Sequence, residues 1–345
     1  MSVRTRETVR MRDIAADLHV SVITISKALR NQGRISSEMR ERVLRRAKEL
    51  NYRPDLTARS LATGRTYLIG MIVPDLMHPF FAAIAKALAR NLRLKGYSLV
   101  IASSDEDPIM ELQEIETLLA RRIDALVLAS CARNTSSSTS RCLKDAKAPY
   151  LLLDRPIRGL KSYFVGSNDK SIGILATEHL IERGYRRIAH IGIPNLSPGS
   201  GRFRGYKATL SRRGLKFEAS RVISVESGDE RGEECGYTAM QMLLTLAPIP
   251  DAVFCYNDIL AYGAHRAVLE AGLSIPADIA LIGVSNLAGL SQWNSVQATL
   301  STVDQDVPTI ATEATRVILA MQESDARLLP RKIFVLPKLV VRNST

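Results

Sequence analysis

The pattern of side chains changes at Thr66: short amphipathic helices with a basic bias lie before it, and apolar runs alternating with helical stretches follow it. At 345 residues the chain is too long for one ordinary core and fits a small module followed by one or two α/β domains. Residues 1–66 carry 15 Lys and Arg against 7 Asp and Glu, which is +8 of the formal net charge of +12 and leaves +4 for the other 279 residues. A basic excess confined to one small module is the footprint of a nucleic-acid-binding head rather than of a generally adhesive protein.

Several function classes drop out at once. The cysteines, Cys131, Cys142, Cys235 and Cys255, lack zinc-ligand spacing and are too sparse for a disulfide scaffold, so they read as reduced thiols. No run of about eighteen apolar residues occurs, and no apolar signal stretch follows the basic start, which predicts a soluble, cytoplasmic, nucleoid-associated protein with no membrane partner. The histidines do not cluster at metal-ligand spacing, and no phosphate-binding glycine loop or nucleophile elbow stands where it would act. Nothing pairs Asp154 or Asp258 with a nucleophile or base, so the chain is expected to be no enzyme and to need neither cofactor nor metal.

In the head, residues 12–18 form a helix with Ile14, Ala15 and Leu18 on one face, and His19, Val20 and Ser21 break it. Ser21 is a good N-cap for a second helix over 22–30. There Ile25, Ala28 and Leu29 recur at helical spacing and face inward, which turns Val22, Ile23, Lys27 and Arg30 outward. Two apolar residues on an exposed basic face need a partner; thymine methyls in the major groove supply one, and Lys27 reaches a guanine or a phosphate. Two such helices joined by a short turn make a helix-turn-helix, whose second helix enters the groove by its N-terminal end. Ser36 or Ser37 caps a third helix ending near Leu50, with Val43, Ala47 and Leu50 inward and Arg40, Arg42, Arg45, Arg46 and Lys48 outward, suited to phosphates. Pro54 stops that helix, and a fourth segment over 55–63 is too short to be stable alone.

The ordered turn, third helix, N-Y-x-P and A-R-x-L of residues 12–64 resemble the head and hinge of the lactose-repressor (LacI/GalR) family of bacterial transcription regulators. The resemblance implies DNA contacts from Ser21, Val22, Ile23, Thr24, Lys27 and Arg30, and from Ala58, Arg59 and Leu61 in a hinge that folds on DNA. Leu61 takes the place of the family's minor-groove wedge, which unstacks a base step at a cost of about a few kcal/mol. Arg30 stands where the family often has Asn, so operator preference does not carry over.

Beyond Thr66, strands are expected over 68–73, 99–102, 125–128, 150–153, 188–191, 252–255 and 279–284, with helices over 80–95, 109–121, 171–183, 233–246 and 259–271. The serine-rich residues 134–140 read as a solvated loop opening a helix. About a dozen strands overfill one doubly wound sheet, so two Rossmann-like lobes of parallel strands with a ligand cleft between them are predicted. The segments IGMIVPD…HPFF, LLLDR, HLIERGYRRIAHIG, VFCYND, IPADIALIGVSN and LSTVDQD resemble the same family, whose body is similar to periplasmic sugar-binding proteins. The implied organisation is a helix-turn-helix domain over 1–54, a hinge over 55–66 and an effector-binding body over 67–345. Within the body, one lobe takes 67–166 and 304–330, the other 167–300 and 331–345. The implied effector contacts are His78, Phe80, Phe81, Asp154, Arg155, Arg202, Asn257, Ser285 and Trp293. Read by spacing alone, Phe80 and Phe81 are equally core residues and Arg155 a strand-end ion pair.

Relatives that bind neutral sugars commonly carry Asp after the Gly-aromatic pair near 283; here the run is Gly283-Val284-Ser285-Asn286. With Arg155 and Arg202 retained, a positive pocket is expected, favouring a sugar acid or phosphorylated sugar over a neutral sugar. The family's two-fold assembly implies a homodimer on a pseudo-palindromic operator, and the lack of a heptad tail after the last strand predicts no coiled-coil tetramer. Replacement Leu61→Ala is expected to weaken binding to the specific operator while leaving effector affinity unchanged; gel shifts and calorimetry on the two proteins check both halves.

Overall fold

A computed structural model of the chain describes residues 9–29, 31, 33–52, 60, 63–132, 135–226, 232–287, 299–323 and 326–345. The chain divides into two compact units, Met1–Thr66 and Tyr67–Thr345. Among the described residues no helix is long and apolar enough to cross a membrane.

The first unit packs three helices, α1 (Met11–Leu18), α2 (Val22–Leu29) and α3 (Ser37–Glu49), around Ile14, Ala15, Ile25, Ala28, Val43 and Ala47. These are the inward residues that the 3.6-residue spacing selects. The α1–α2 turn is tight because His19 closes α1 in the left-handed region (φ 54°), so Val20 N–H reaches back to Ala15 O at 3.0 Å. Ser21 then caps α2, its Oγ accepting from Thr24 N–H at 3.1 Å, and Ser36 caps α3 through Met39 N–H at 3.2 Å.

The second unit contains two lobes. The first sheet holds β1 (Leu68–Val73), β2 (Ser98–Ser103), β3 (Ala125–Leu128), β4 (Tyr150–Leu153), β5 (Tyr163–Ser167) and β11 (Lys332–Val335), in the order β11-β5-β4-β3-β1-β2, all parallel. The second holds β6 (Ile188–Gly192), β7 (Val222–Ser224), β8 (Ala252–Cys255), β9 (Ala280–Val284), β10 (Ser301–Asp304) and β12 (Lys338–Val340), in the order β12-β10-β9-β8-β6-β7. Only β12 runs antiparallel to its neighbour. The placement of β11 corrects one expectation: residues 331–345 are shared between the lobes, because Lys332–Val335 pairs with β5 of the first. Both sheets reverse direction next to their first strand, between β1 and β3 and between β6 and β8, and such a switch point opens a crevice at the strands' carboxyl ends.

In the first lobe the helices are α4 (Pro79–Arg93), α5 (Pro108–Ala120), α6 (Ser138–Asp145) and α11 (Val307–Gln322). In the second they are α7 (Asp169–Glu182), α8 (Ser197–Arg212), α9 (Gly232–Leu244) and α10 (Asp258–Glu270). Several begin on side-chain caps at the carboxyl ends of strands: His78 for α4, Asn168 for α7, Asn257 for α10 and Asp306 for α11. The serine-rich stretch does open a helix, Ser137 capping α6 through Ser140 N–H at 3.1 Å. In the second lobe helices pack in close pairs. A β-carbon on Gly173 would overlap the Arg202 carbonyl, and one on Gly236 the Leu260 carbonyl, so only glycine lets α7 meet α8 and α9 meet α10 at this distance.

Three short connections, residue 168 and residues 305–306 and 336–337, join the lobes. They are tied sideways: Gln305 Nε2 donates to Ser167 Oγ at 3.4 Å and Lys338 Nζ to Asp306 Oδ2 at 2.8 Å.

His190, on β6, is buried between the rings of Phe254 and Tyr206, with centroids 4.8 and 5.3 Å away, and its Nδ1 lies 2.8 Å from Phe254 O. Burial, opposed by that backbone bond, pushes its pKa down to about 4. The group is depressed on folding, so its contribution to stability is present above the ordinary value near 6.5 and is lost as pH falls towards 4, by about 3 kcal/mol in all. Replacement His190→Phe keeps the ring stack and should flatten the loss of stability between pH 6.5 and 4 by about that amount, read from urea unfolding at both pH values.

Candidate DNA-reading helix and effector cleft

On the head, Val22 and Ile23 are 42% and 67% exposed, although the other apolar residues of α2 are buried or half-buried. They occupy its first turn beside Ser21, whose hydroxyl lies 2.9 Å from that of Thr24. Lys27 is exposed one turn later, its methylene stem lying against Gly33, where a β-carbon would approach the Lys27 chain at 3.2 Å. Of the cations expected on α3's outer face, Arg46 is a correction: its guanidinium bonds Asp17 of α1 at 2.6 Å and Glu49 at 2.9 Å, so it staples the head together. Arg40 bonds the Asn31 side chain. Arg30, Ala58, Arg59 and Leu61 lie outside the described residues.

In the body the structure gathers His78, Phe80, Phe81, Asp154, Arg155, Arg202, Asn257 and Ser285 around one small cavity at the carboxyl ends of both sheets. Trp293 lies outside the described residues. Ile193, Leu196, Tyr256 and Gln305 complete the wall and were not singled out by sequence, although Tyr256 and Gln305 sit inside the quoted motifs VFCYND and LSTVDQD. The cavity measures about 20 Å³, room for about one water molecule, so the lobes are nearly closed on each other. Phe80 and Phe81 are both wall and core: each is 3% exposed, and they cluster with Ile259 and Leu287 of the opposite lobe.

His78 Nδ1 accepts from Phe80 N–H at 3.3 Å, which leaves the proton of the neutral ring on Nε2. Asn257 Oδ1 accepts from Leu260 N–H at 2.9 Å, so its amide nitrogen faces that Nε2 at 3.4 Å. Two donors thus converge from opposite lobes. Ser285 Oγ, on a backbone with φ 112°, donates to Gln305 Oε1 at 2.9 Å. Burial, helped by Arg155 and Arg202, pushes His78 down to about 3, so the imidazole stays neutral.

Residues 66–326 match the family described as periplasmic binding proteins and sugar binding domain of LacI family, and residues 10–55 match bacterial regulatory proteins, lacI family. The chain belongs to the LacI family. It is 31% identical, over 97% of its length and 96% of the relative's, to a protein named ribose operon repressor of Halalkalibacterium halodurans. Among solved structures it resembles a transcriptional regulator CelR–cellobiose complex, with TM-score 0.72 and 26% identity over 98% of this chain and all of the other. It also shares the fold of a Lac repressor dimer bound to operator and the anti-inducer ONPF, with TM-score 0.83 and 23% identity over 98% and 99% of the two chains. It is accordingly a DNA-binding regulator with a two-lobed, sugar-binding type of body, and not an enzyme.

The charges of this LacI-family cleft differ from the expected positive pocket. Arg155 grips Glu106 with both terminal nitrogens, at 2.9 and 2.8 Å, so the strand-end ion-pair reading of this residue holds. Arg202 donates to Asp169 at 3.2 Å and to Tyr256 O at 2.6 Å, and lies 4.4 Å above the Tyr256 ring. With Asp154 beside them, two guanidiniums meet three carboxyl groups, and no positive excess remains in the cleft. Burial raises the pKa of Asp154 and pushes Asp169 up to about 7, while Arg202 pulls both the other way. Asn286, next to Ser285, is tied to Asp304 at 3.0 Å and Arg342 at 2.7 Å. Asp258, which burial pushes up to about 7, accepts from Thr302 Oγ1 at 2.7 Å and Leu287 N–H at 3.0 Å and so braces the loop after β9.

Because Arg202 is 3% exposed, removing it strands Asp169 without its partner. Replacement Arg202→Ala should destabilise the body by about 3–5 kcal/mol. The double replacement Arg202→Leu/Asp169→Asn should cost clearly less, and urea unfolding of both variants checks the order.

Proposed function

We propose that this chain is a cytoplasmic repressor that binds a pseudo-palindromic operator as a homodimer and is controlled by a small carbohydrate-like effector held between its lobes. The observation that carries the reading is the exposure of Val22 and Ile23 side by side in the first turn of α2, a helix whose other apolar residues, Ile25, Ala28 and Leu29, are drawn into the head's core. Set into a major groove, the two side chains meet thymine methyls, and Lys27 reaches a base edge or phosphate one turn on. Ser21 and Thr24 flank them, Arg30 is assigned to the same contacts from sequence alone, and Ala58, Arg59 and Leu61 are assigned likewise to the minor groove at the operator centre.

Dimerisation is supported by apolar side chains that the first lobe leaves exposed: Leu76, Met77 and Leu94 in loops, Ile101 on the edge strand β2, and Ile109 and Met110 at the start of α5. A two-fold pair of heads matches a two-fold operator.

The effector reading is supported by the ribose and cellobiose in the names of the relatives and by the cleft's chemistry. The converging donors of His78 and Asn257 suit a hydroxyl oxygen, Asp154, Arg202, Ser285 and Gln305 suit further hydroxyls, and Phe80 and Phe81 cover an apolar ring face. Trp293 is assigned to the same site from sequence alone. Ligand binding that changes the angle between lobes would alter the spacing of the two hinges, with coupling of about 1–3 kcal/mol in either direction.

Gel shifts on inverted-repeat duplexes, with and without ribose and cellobiose, test the reading. The expected result is a salt-sensitive complex whose affinity one sugar changes by at least about fivefold. Replacement Lys27→Ala is expected to alter base preference at one operator position if the side chain reads a base, and to lower affinity uniformly if it meets phosphate. Indifference of the protein to every duplex at low salt would sink the proposal.

A further inference from the structure

Beside the nearly filled cleft lies a chamber of about 930 Å³, bounded by the loop after β4 and the start of α8; Arg155 and Leu196 line both spaces. Six cationic side chains line it, Arg155, Arg158, Lys161, Arg204, Arg331 and Lys332, and no carboxylate does. Arg155 is neutralised by Glu106, and Arg331 lies 4.8 Å above the Tyr163 ring. Among the described residues, none of Arg158, Lys161, Arg204 and Lys332 is within ion-pairing distance of a carboxylate.

Two further observations point the same way. The 16-residue helix α8 begins at this chamber, where Ser197 and Ser200 are part of the wall; its N-cap Leu196 supplies no side-chain acceptor and its first turn no acid. The partial positive charge of the helix start is therefore uncompensated by the helix itself. Arg155, 6% exposed, keeps a buried Nε without a hydrogen-bond partner among the described residues. Buried donors of this kind ordinarily find an acceptor, and an anionic oxygen is one.

We propose that the chamber is an anion-binding subsite for a small metabolite bearing a phosphate or carboxylate, seated beside the hydroxyl-reading cleft. This deepens the interlobe-effector reading and rests on it. The volume lies within the range of small-molecule pockets, about 300–1,000 Å³, which favours a metabolite over a macromolecular surface. Arg158, Lys161 and Lys332 belong to the first lobe, Arg204 and the α8 terminus to the second. Like charges facing each other across the gap repel, and one anion between them turns that repulsion into a bridge. The sequence-based expectation of anion recognition thus moves from Arg155 and Arg202 to their neighbours.

The test is calorimetry on the full-length protein with ribose, ribose 5-phosphate and inorganic phosphate, using wild type, Arg158→Ala/Lys161→Ala, and Arg158→Lys/Lys161→Arg. A phosphate-bearing probe should bind wild type, weaken with salt, and lose about tenfold in the alanine variant, while ribose affinity and operator binding do not change. The charge-conserving variant should restore it. Inorganic phosphate binding together with ribose identifies a separate anionic ligand; ribose 5-phosphate displacing ribose identifies one ligand spanning both spaces; either supports the subsite. Failure of both phosphate probes to bind, or equal affinity in wild type and the alanine variant, overturns it. If a phosphate probe binds in this way while neither it, ribose nor cellobiose changes operator affinity, the subsite stands and the control of operator binding by an interlobe effector falls.

Discussion

Two guanidinium groups sit almost out of reach of water between the lobes, and the closed body depends on the carboxylates that meet them. Desolvating a charge costs several kcal/mol unless a partner and further hydrogen bonds offset it, and Arg202 has both, in Asp169 and the Tyr256 carbonyl. Asp169 opens α7 immediately after the first connection between lobes, whereas Arg202 is on α8, so the pair locks the helix contact that Gly173 and Gly205 make possible. Arg155 does the same for the first lobe by binding Glu106 after β2. The cleft is a surface of balanced charge with a few oriented donors.

The head obeys a simpler rule. Its core is six small or medium side chains, too few to hold three helices on burial alone, and the caps at Ser21 and Ser36 and the Arg46 bonds to Asp17 and Glu49 supplement it. Those contacts settle which residues remain outside. Val22 and Ile23 are exposed because Ile25 and Ala28 already fill the inner face one turn on.

Much of this is readable from sequence wherever periodicity or a motif decides. The seven apolar runs are strands because an unbroken apolar stretch fits a sheet covered on both faces, and the inner face of each head helix follows from spacing alone. Helix α8 escapes that reading: its start, Ser197-Pro198-Gly199-Ser200-Gly201, looks like a loop, and its glycines make sense only when α7 lies against it. The lobe that takes β11 depends on pairing with β5, more than 160 residues earlier, which no local pattern encodes. Arg155 and Arg202 are nameable from motifs, but Glu106 and Asp169 are not, since an ion pair is defined by tertiary placement. That gap is why a positive pocket is the natural expectation and a balanced one the finding.

The three tied connections between the lobes have a mechanical result. One strand between two bodies permits swivel, bend and twist; two leave a hinge with some play. Three short ones, cross-linked through Ser167, Gln305, Asp306 and Lys338, leave essentially one soft coordinate, opening about a single line. An effector acting as proposed would be felt outside the body only as a position along that one axis, so ligands of quite different shape would be reduced to the same kind of message.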